Sequence, residues 1–135
     1  MSLEGGCHCG QLRYASEGKP LLKGQCHCRV CQRFSGGAVN LFMMVPATGF
    51  RWTRGAPKAF AHPGLDKPVT REFCAHCGTH LINRPPGLDA VILKVGTLDD
   101  PGQFGAPRIA MFVAQRQAFH HIPDDLLTFE GMPGE

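Results

Sequence analysis

The chain of 135 residues contains no run of the ~18 consecutive apolar residues that a membrane-crossing helix needs. Its first six residues carry no charged and apolar leader, so no secretory signal is expected and the predicted compartment is the cytoplasm. There is no internal repeat, linker or low-complexity tract. Basic residues do not cluster with interleaved aromatics, so a nucleic-acid groove is not expected. Helix-like stretches are few, whereas 17 Gly and 11 Pro point to turns and strands. The hydrophobic fraction of 43% excludes wholesale disorder. The length fits one domain over residues 1–135, burying roughly two-thirds of the surface of its unfolded chain.

What the sequence has in quantity is sulfur. Seven cysteines are an odd number, so a closed disulfide framework would leave one thiol over, and a cytoplasmic setting keeps thiols reduced. They fall into Cys7-His8-Cys9-Gly10, Cys26-His27-Cys28-Arg29-Val30-Cys31 and Cys74-Ala75-His76-Cys77-Gly78. Cysteines this close in sequence bridge one another poorly, yet two thiolates of a CxC or CxxC turn reach one ion at about 2.3 Å. Gly78 after the last cysteine lets the backbone turn away from such an ion. Soft thiolates in this number select zinc over magnesium or calcium. Ligand counting divides the seven unequally. Cys7, Cys9, Cys74 and Cys77 form one closed four-thiolate site that staples the N-terminal strand to the middle of the chain. Cys26, Cys28 and Cys31 form a second, whose zinc keeps one tetrahedral position open, the pattern of a catalytic ion. The alternative puts His8, His27, His76 or His80 at that corner and makes both sites structural. Zinc on four thiolates is a dianion and on three a monoanion, which cancels the formal net charge of +3.

Along the chain, alternation and breakers predict strands at 11–16, 21–26, 38–45, 50–53, 58–61, 69–73, 79–83, 89–95 and 108–114. Residues 29–34 read as one helical turn stopped at Ser35-Gly36-Gly37. Residues 99–107 read as loop, and 122–129 as ending in a short helical turn opened by Pro123-Asp124-Asp125. The fold expected is all-β or β-rich, with strands delivering cysteines to two metal sites. Phe42, Phe50, Trp52 and Phe73 are expected in the core. Of the histidines, His8, His27 and His76 sit between ligands and read as surface or supporting residues. His80 suits core or pocket equally, and His62, His120 and His121 read as loop or surface.

These motifs, with Tyr14, Ser35-Gly36, Phe73, Thr79-His80-Leu81 and Val95-Gly96-Thr97-Leu98-Asp99-Asp100-Pro101, resemble the glutathione-dependent formaldehyde-activating enzyme family, also called the centromere protein V domain family. The resemblance runs from about Gly6 to Phe129. It implies a β-rich zinc fold of folded sheets with the outer four cysteines on a structural zinc and Cys26, Cys28 and Cys31 on a catalytic one. It further implies a carbon–sulfur lyase that joins glutathione and formaldehyde into S-hydroxymethylglutathione, or reverses that reaction. The chain departs from the family at Phe119-His120-His121, where a Trp is frequent, and at Arg108-Ile109, where a His before Ile is common. Glutathione-acting members are also longer. The expected partners are a small-molecule thiol and an aldehyde. Glutathione brings two carboxylates, for which Arg29 and Arg33 beside the second cluster are the expected cations, with Arg54, Lys58, Arg71 and Arg84 as further candidates. The competing readings are a non-catalytic zinc module for a protein partner and a thiolate redox or zinc sensor.

Overall fold

The structure, a computed structural model, describes residues 2–134. In chain order the strands are β1 (Ser2–Gly6), β2 (Arg13–Glu17), β3 (Leu22–Cys26), β4 (Asn40–Pro46), β5 (Phe50–Arg54), β6 (Lys58–Phe60), β7 (Thr70–Phe73), β8 (His80–Arg84), β9 (Ala90–Lys94), β10 (Ile109–Met111) and β11 (Leu127–Thr128). The α-helix α1 (Arg29–Phe34) lies between β3 and β4. The β-rich class expected from turn and strand signals is therefore the observed one. No helix among the described residues is long and apolar enough to cross a membrane.

Two sheets share the main core. The smaller has the order β1-β2-β5, and the larger β11-β10-β3-β4-β9-β8-β7-β6. Most neighbours are antiparallel, as short connections favour, but β10 runs parallel to both β3 and β11. Side chains alternate across a strand, so each strand of the large sheet serves two environments. One face presents Met43, Val45, Ile82, Val91 and Leu93, all fully buried, to Leu3, Tyr14 and Phe50 of the small sheet. Removing one such side chain would cost about 2–5 kcal/mol. The opposite face carries Phe42, Met44, Asn83, Ile92 and Lys94 and is covered only in part.

The small sheet is fixed to the large one by a close backbone approach. Gly5 bridges Leu98, and a Cβ on Gly5 would stand 2.3 Å from the Thr97 carbonyl oxygen and 2.4 Å from Tyr14 Oη. Only glycine lets the buried Tyr14 hydroxyl reach Thr97 Oγ1, 2.8 Å away. Phe42 and Phe50 are buried as expected, and Trp52 packs half-buried against the core. Phe73 is not core: it is half-buried and stacks on His80 with ring centroids 5.0 Å apart.

The expected strand at 108–114 is cut to Ile109–Met111, because Phe112 turns left-handed at φ 55° and a 3-10 turn follows. The expected loop at 99–107 contains a further 3-10 turn, Pro101–Phe104, which Asp100 opens by accepting from the Gly102 N–H at 3.0 Å. Where a short helical turn is expected at the end of 122–129, the chain forms strand β11 instead, because Leu127–Thr128 pair with β10.

Candidate metal centres

The chain leaves β1 and β7 through two tight turns that face each other. In the first, Leu12 N–H donates to Cys7 Sγ at 3.2 Å, and in the second Cys77 N–H donates to Cys74 Sγ at 3.5 Å. Both turns end on a left-handed glycine, Gly10 at φ 82° and Gly78 at φ 81°, a conformation that a Cβ disfavours. This is the role expected of Gly78. The result is four sulfurs, of Cys7, Cys9, Cys74 and Cys77, all within 4.8 Å of one another. Cys7 and Cys9 Sγ lie 3.6 Å apart, and Cys9 and Cys74 Sγ 3.7 Å. A zinc–sulfur bond of about 2.3 Å gives a tetrahedral edge of about 3.8 Å, so the donor set fits zinc in both chemistry and spacing. All seven cysteines are free thiols rather than disulfides.

The second group is built on one short stretch. Cys26 ends β3, Cys28 caps α1, and Cys31 lies in its first turn, where its N–H donates to Cys28 Sγ at 3.2 Å. The three sulfurs again lie within 4.8 Å of one another, a trithiolate set suited to zinc. Among the described residues no His, Asp or Glu joins either group. Hydrogen bonding from Cys26 and Cys31 pulls Cys28 down to about 2, and the same contacts with Cys28 and Cys31 push Cys26 up. In the four-sulfur group the Thr79 side chain and backbone pull Cys77 down to about 5. Each group thus concentrates thiolate character that a soft cation would share. Phe42 is buried against Cys26 and Cys31, with Ile92, Met111 and Phe112 packed around them.

The histidines divide as their spacing implies. His8 and His76 are exposed. His27 is fully buried but turned away from the sulfurs: its Nε2 lies 2.9 Å from Gln25 Nε2 and its Nδ1 3.5 Å from His120 Nδ1. Burial holds His27 below its ordinary value. His120 is more than a loop residue, because its Nε2 donates to the Gly37 carbonyl at 2.7 Å and ties the C-terminal loop to the turn after α1. The sequence motif carries no sign of that pairing, which joins residues far apart in the chain. Arg29 and Arg33 are exposed on α1, Arg29 bonding Gln32 of its own helix. Arg84 pairs with Glu72.

A residue that sequence reasoning passed over is Lys94. It ends β9, and its Nζ is buried without a hydrogen-bond partner among the described residues. Burial holds its ammonium below the usual lysine range, an effect that the nearby Cys31 sulfur opposes. The signal was available: a lysine sits inside the apolar run Ala90–Val95, where β-strand burial leaves no easy exit for a charge.

The sequence matches the family described as glutathione-dependent formaldehyde-activating enzyme over residues 2–115. A protein of Halomonas elongata, named after the same activity, is 29% identical over 86 residues, which is 60% of this chain. The aligned part makes up 55% of that relative, so the chain matches about half of its length. A crystal structure of a Rhodobacter sphaeroides protein aligns with a TM-score of 0.56 at 22% identity. It covers 77% of this chain and 96% of the other, a likeness of fold.

Proposed function

Because this chain belongs to the glutathione-dependent formaldehyde-activating enzyme family, we propose that it is a zinc-dependent carbon–sulfur lyase joining a thiol, glutathione or a relative, to formaldehyde or another small aldehyde. The observation that carries this reading is the unequal division of sulfur, four Sγ in one group and three in the other. Cys7, Cys9, Cys74 and Cys77 would hold a structural zinc, and Cys26, Cys28 and Cys31 a catalytic one. A zinc held by Cys26, Cys28 and Cys31 would supply an electrophilic centre that acidifies a substrate thiol.

The chain's own residues supply the rest. Cys28 and Cys31 are fixed by the first turn of α1, and Cys26 by its β-ladder, so the three donors converge without rearrangement. Gln32 donates from Nε2 to the His27 carbonyl at 2.8 Å, which holds the Cys26–Cys28 segment in its turn. Phe42, Met111 and Phe112 make the surround of the sulfurs apolar. Arg29 and Arg33 stand on α1 as exposed cations for an outer carboxylate of the thiol substrate. In the reaction the substrate sulfur donates its electron pair to the aldehyde carbon, forming the C–S bond. The carbonyl π pair moves to oxygen, and oxygen takes up the proton that the thiol released. No oxidant is needed. Thiols add to formaldehyde unaided, so the gain comes from holding both reactants together.

The test follows glutathione and formaldehyde by exchange NMR, with the spontaneous rate subtracted. Zinc-loaded protein should accelerate the exchange, and Cys28→Ser should abolish the acceleration while the four-cysteine zinc is retained. No acceleration by the zinc-loaded wild type would overturn the reading.

A further inference from the structure

Among the described residues, three buried side-chain polar atoms lack a hydrogen-bond partner: Lys94 Nζ, Arg71 Nη1 and Asn83 Oδ1. They are not scattered. Arg71 pairs with Asn83 across β7 and β8, and Asn83 pairs with Ile92 across β8 and β9. Lys94 lies two residues beyond Ile92 and so on the same face. That face is the half-covered one, opposite the main core. Lys94 in turn pairs with Phe42, which packs on Cys26 and Cys31. The row of orphaned groups therefore leads directly to the three-cysteine group.

We propose that Lys94 and Arg71 form a carboxylate-binding subsite beside Cys26, Cys28 and Cys31, seating the acid end of the thiol substrate. This rests on the reading of the three-cysteine group as thiol-binding. Leaving a cation buried and unpaired is costly, and a fold retains it where an anion will complete it. Arg71 is already oriented: its Cζ lies 4.3 Å over the Phe34 ring of α1. Stacking on a ring face leaves the edge of a guanidinium, with its fork of N–H groups, directed sideways at a carboxylate. Phe34 belongs to the helix that carries Cys31, so one element sets both the sulfur and the arginine. His80 completes the wall, its ring 5.0 Å from Phe34. Burial, then the charges of Lys94 and Arg71, keep His80 below its ordinary value, so the three groups are near neighbours. Glu72 does not neutralise them, because it points to the opposite face and accepts from Trp52 Nε1 at 3.1 Å, and the negative charge that Lys94 meets on this face is that of the sulfurs, Cys31 foremost.

The experiment uses the zinc-loaded protein and two matched thiols, 3-mercaptopropionate and 3-mercaptopropanol, with binding measured by calorimetry. The wild type should bind the acid at least about tenfold more tightly, the size of one good charge-assisted contact. Arg71→Met and Lys94→Met should reduce that preference to about threefold or less with zinc content unchanged, and Lys94→Arg should keep most of it. Equal affinity for both thiols in the wild type overturns the proposal, as does an intact preference in Arg71→Met. Loss of zinc from Lys94→Met with the preference otherwise unmoved also overturns it, assigning Lys94 to the sulfurs alone. Propionate without a thiol tests the subsite independently, by saturable shifts of the His80 ring resonances. Such shifts with neither thiol binding would keep the subsite and remove the thiol reading. No shift, or tighter binding of inorganic phosphate than of propionate, rejects the carboxylate assignment.

Discussion

The two sulfur groups use the same donor atom in opposite ways. Four sulfurs come from two turns, with Cys9 and Cys74 65 residues apart in the chain. The other three come from a single turn entering α1. A metal on the first group closes a long loop, and on the second a very short one. On the chain-entropy scale used for disulfides, closing these loops is worth about 4 and about 2 kcal/mol. Their surroundings differ to match. The first group is anchored beneath the small sheet, with Cys7 and Cys74 part of the main core. The second lies on the half-covered face with a separate apolar cluster of its own. On the proposed function, a metal would staple the fold at the first group and stay available to a substrate at the second, according to where the chain places its cysteines.

The strongest way to break this contrast is to remove one sulfur from each side. Cys74→Ser should lower the thermal midpoint by at least about 10 °C, since about 4 kcal/mol is lost in a chain of this size. Cys28→Ser should lower it by about half as much. Thermal unfolding followed by circular dichroism decides the matter, and equal losses in the two variants would remove the distinction. A milder test is the order of metal release. Titration of the zinc-loaded protein with a chromogenic chelator should free one equivalent first, with the midpoint falling by only a few degrees, and the second only on unfolding. Release of both together would mean that the two groups are equally closed.

Most of the metal geometry was legible because it is local. CxC, CxxC and the glycine that follows each dictate a turn, and α1 over Arg29–Phe34 has the predicted bounds because Cys28 caps it. The strand spans were legible from alternation to within one or two residues for β3 through β9. What did not appear was non-local. The parallel pairing of β10 with β3 has no hairpin signature. The contact of His27 with His120 joins distant segments, and Phe73 reads as core although the bulge between Glu72 and Phe73 turns it to His80 on the open face. Arg71 was a candidate cation among several, and only strand register set it apart. Arg29 and Arg33 stand out by sequence proximity to the cysteines and lie exposed on α1, whereas Lys94 comes beside Phe42 only through the pairing of β9 with β4.

The finest test concerns what steadies the four-sulfur side apart from metal. Arg13, directly after the Leu12 that hydrogen-bonds Cys7, donates through Nη1 to Asp99 Oδ1 at 2.8 Å, and its Nη2 bonds Oδ2. The pair ties β2 to Asp99, the residue after the Leu98 that Gly5 bridges. The hydrogen bonds from Arg13 hold the Asp99 carboxyl below its ordinary range. A depressed carboxylate contributes stability that is fully present above its unfolded value near pH 4 and fades only as pH falls through the folded one. Both side chains are part-exposed, 35% and 49%, so the contribution is at most about 1 kcal/mol and screened by salt. Asp99→Asn should therefore lower stability by that small amount, equally at pH 6 and pH 8, and the deficit should shrink in 1 M salt. Denaturant unfolding at the two pH values and two salt concentrations measures it. A deficit that changed between pH 6 and 8 would show that another titrating group, rather than this ion pair, steadies the segment beside Cys7.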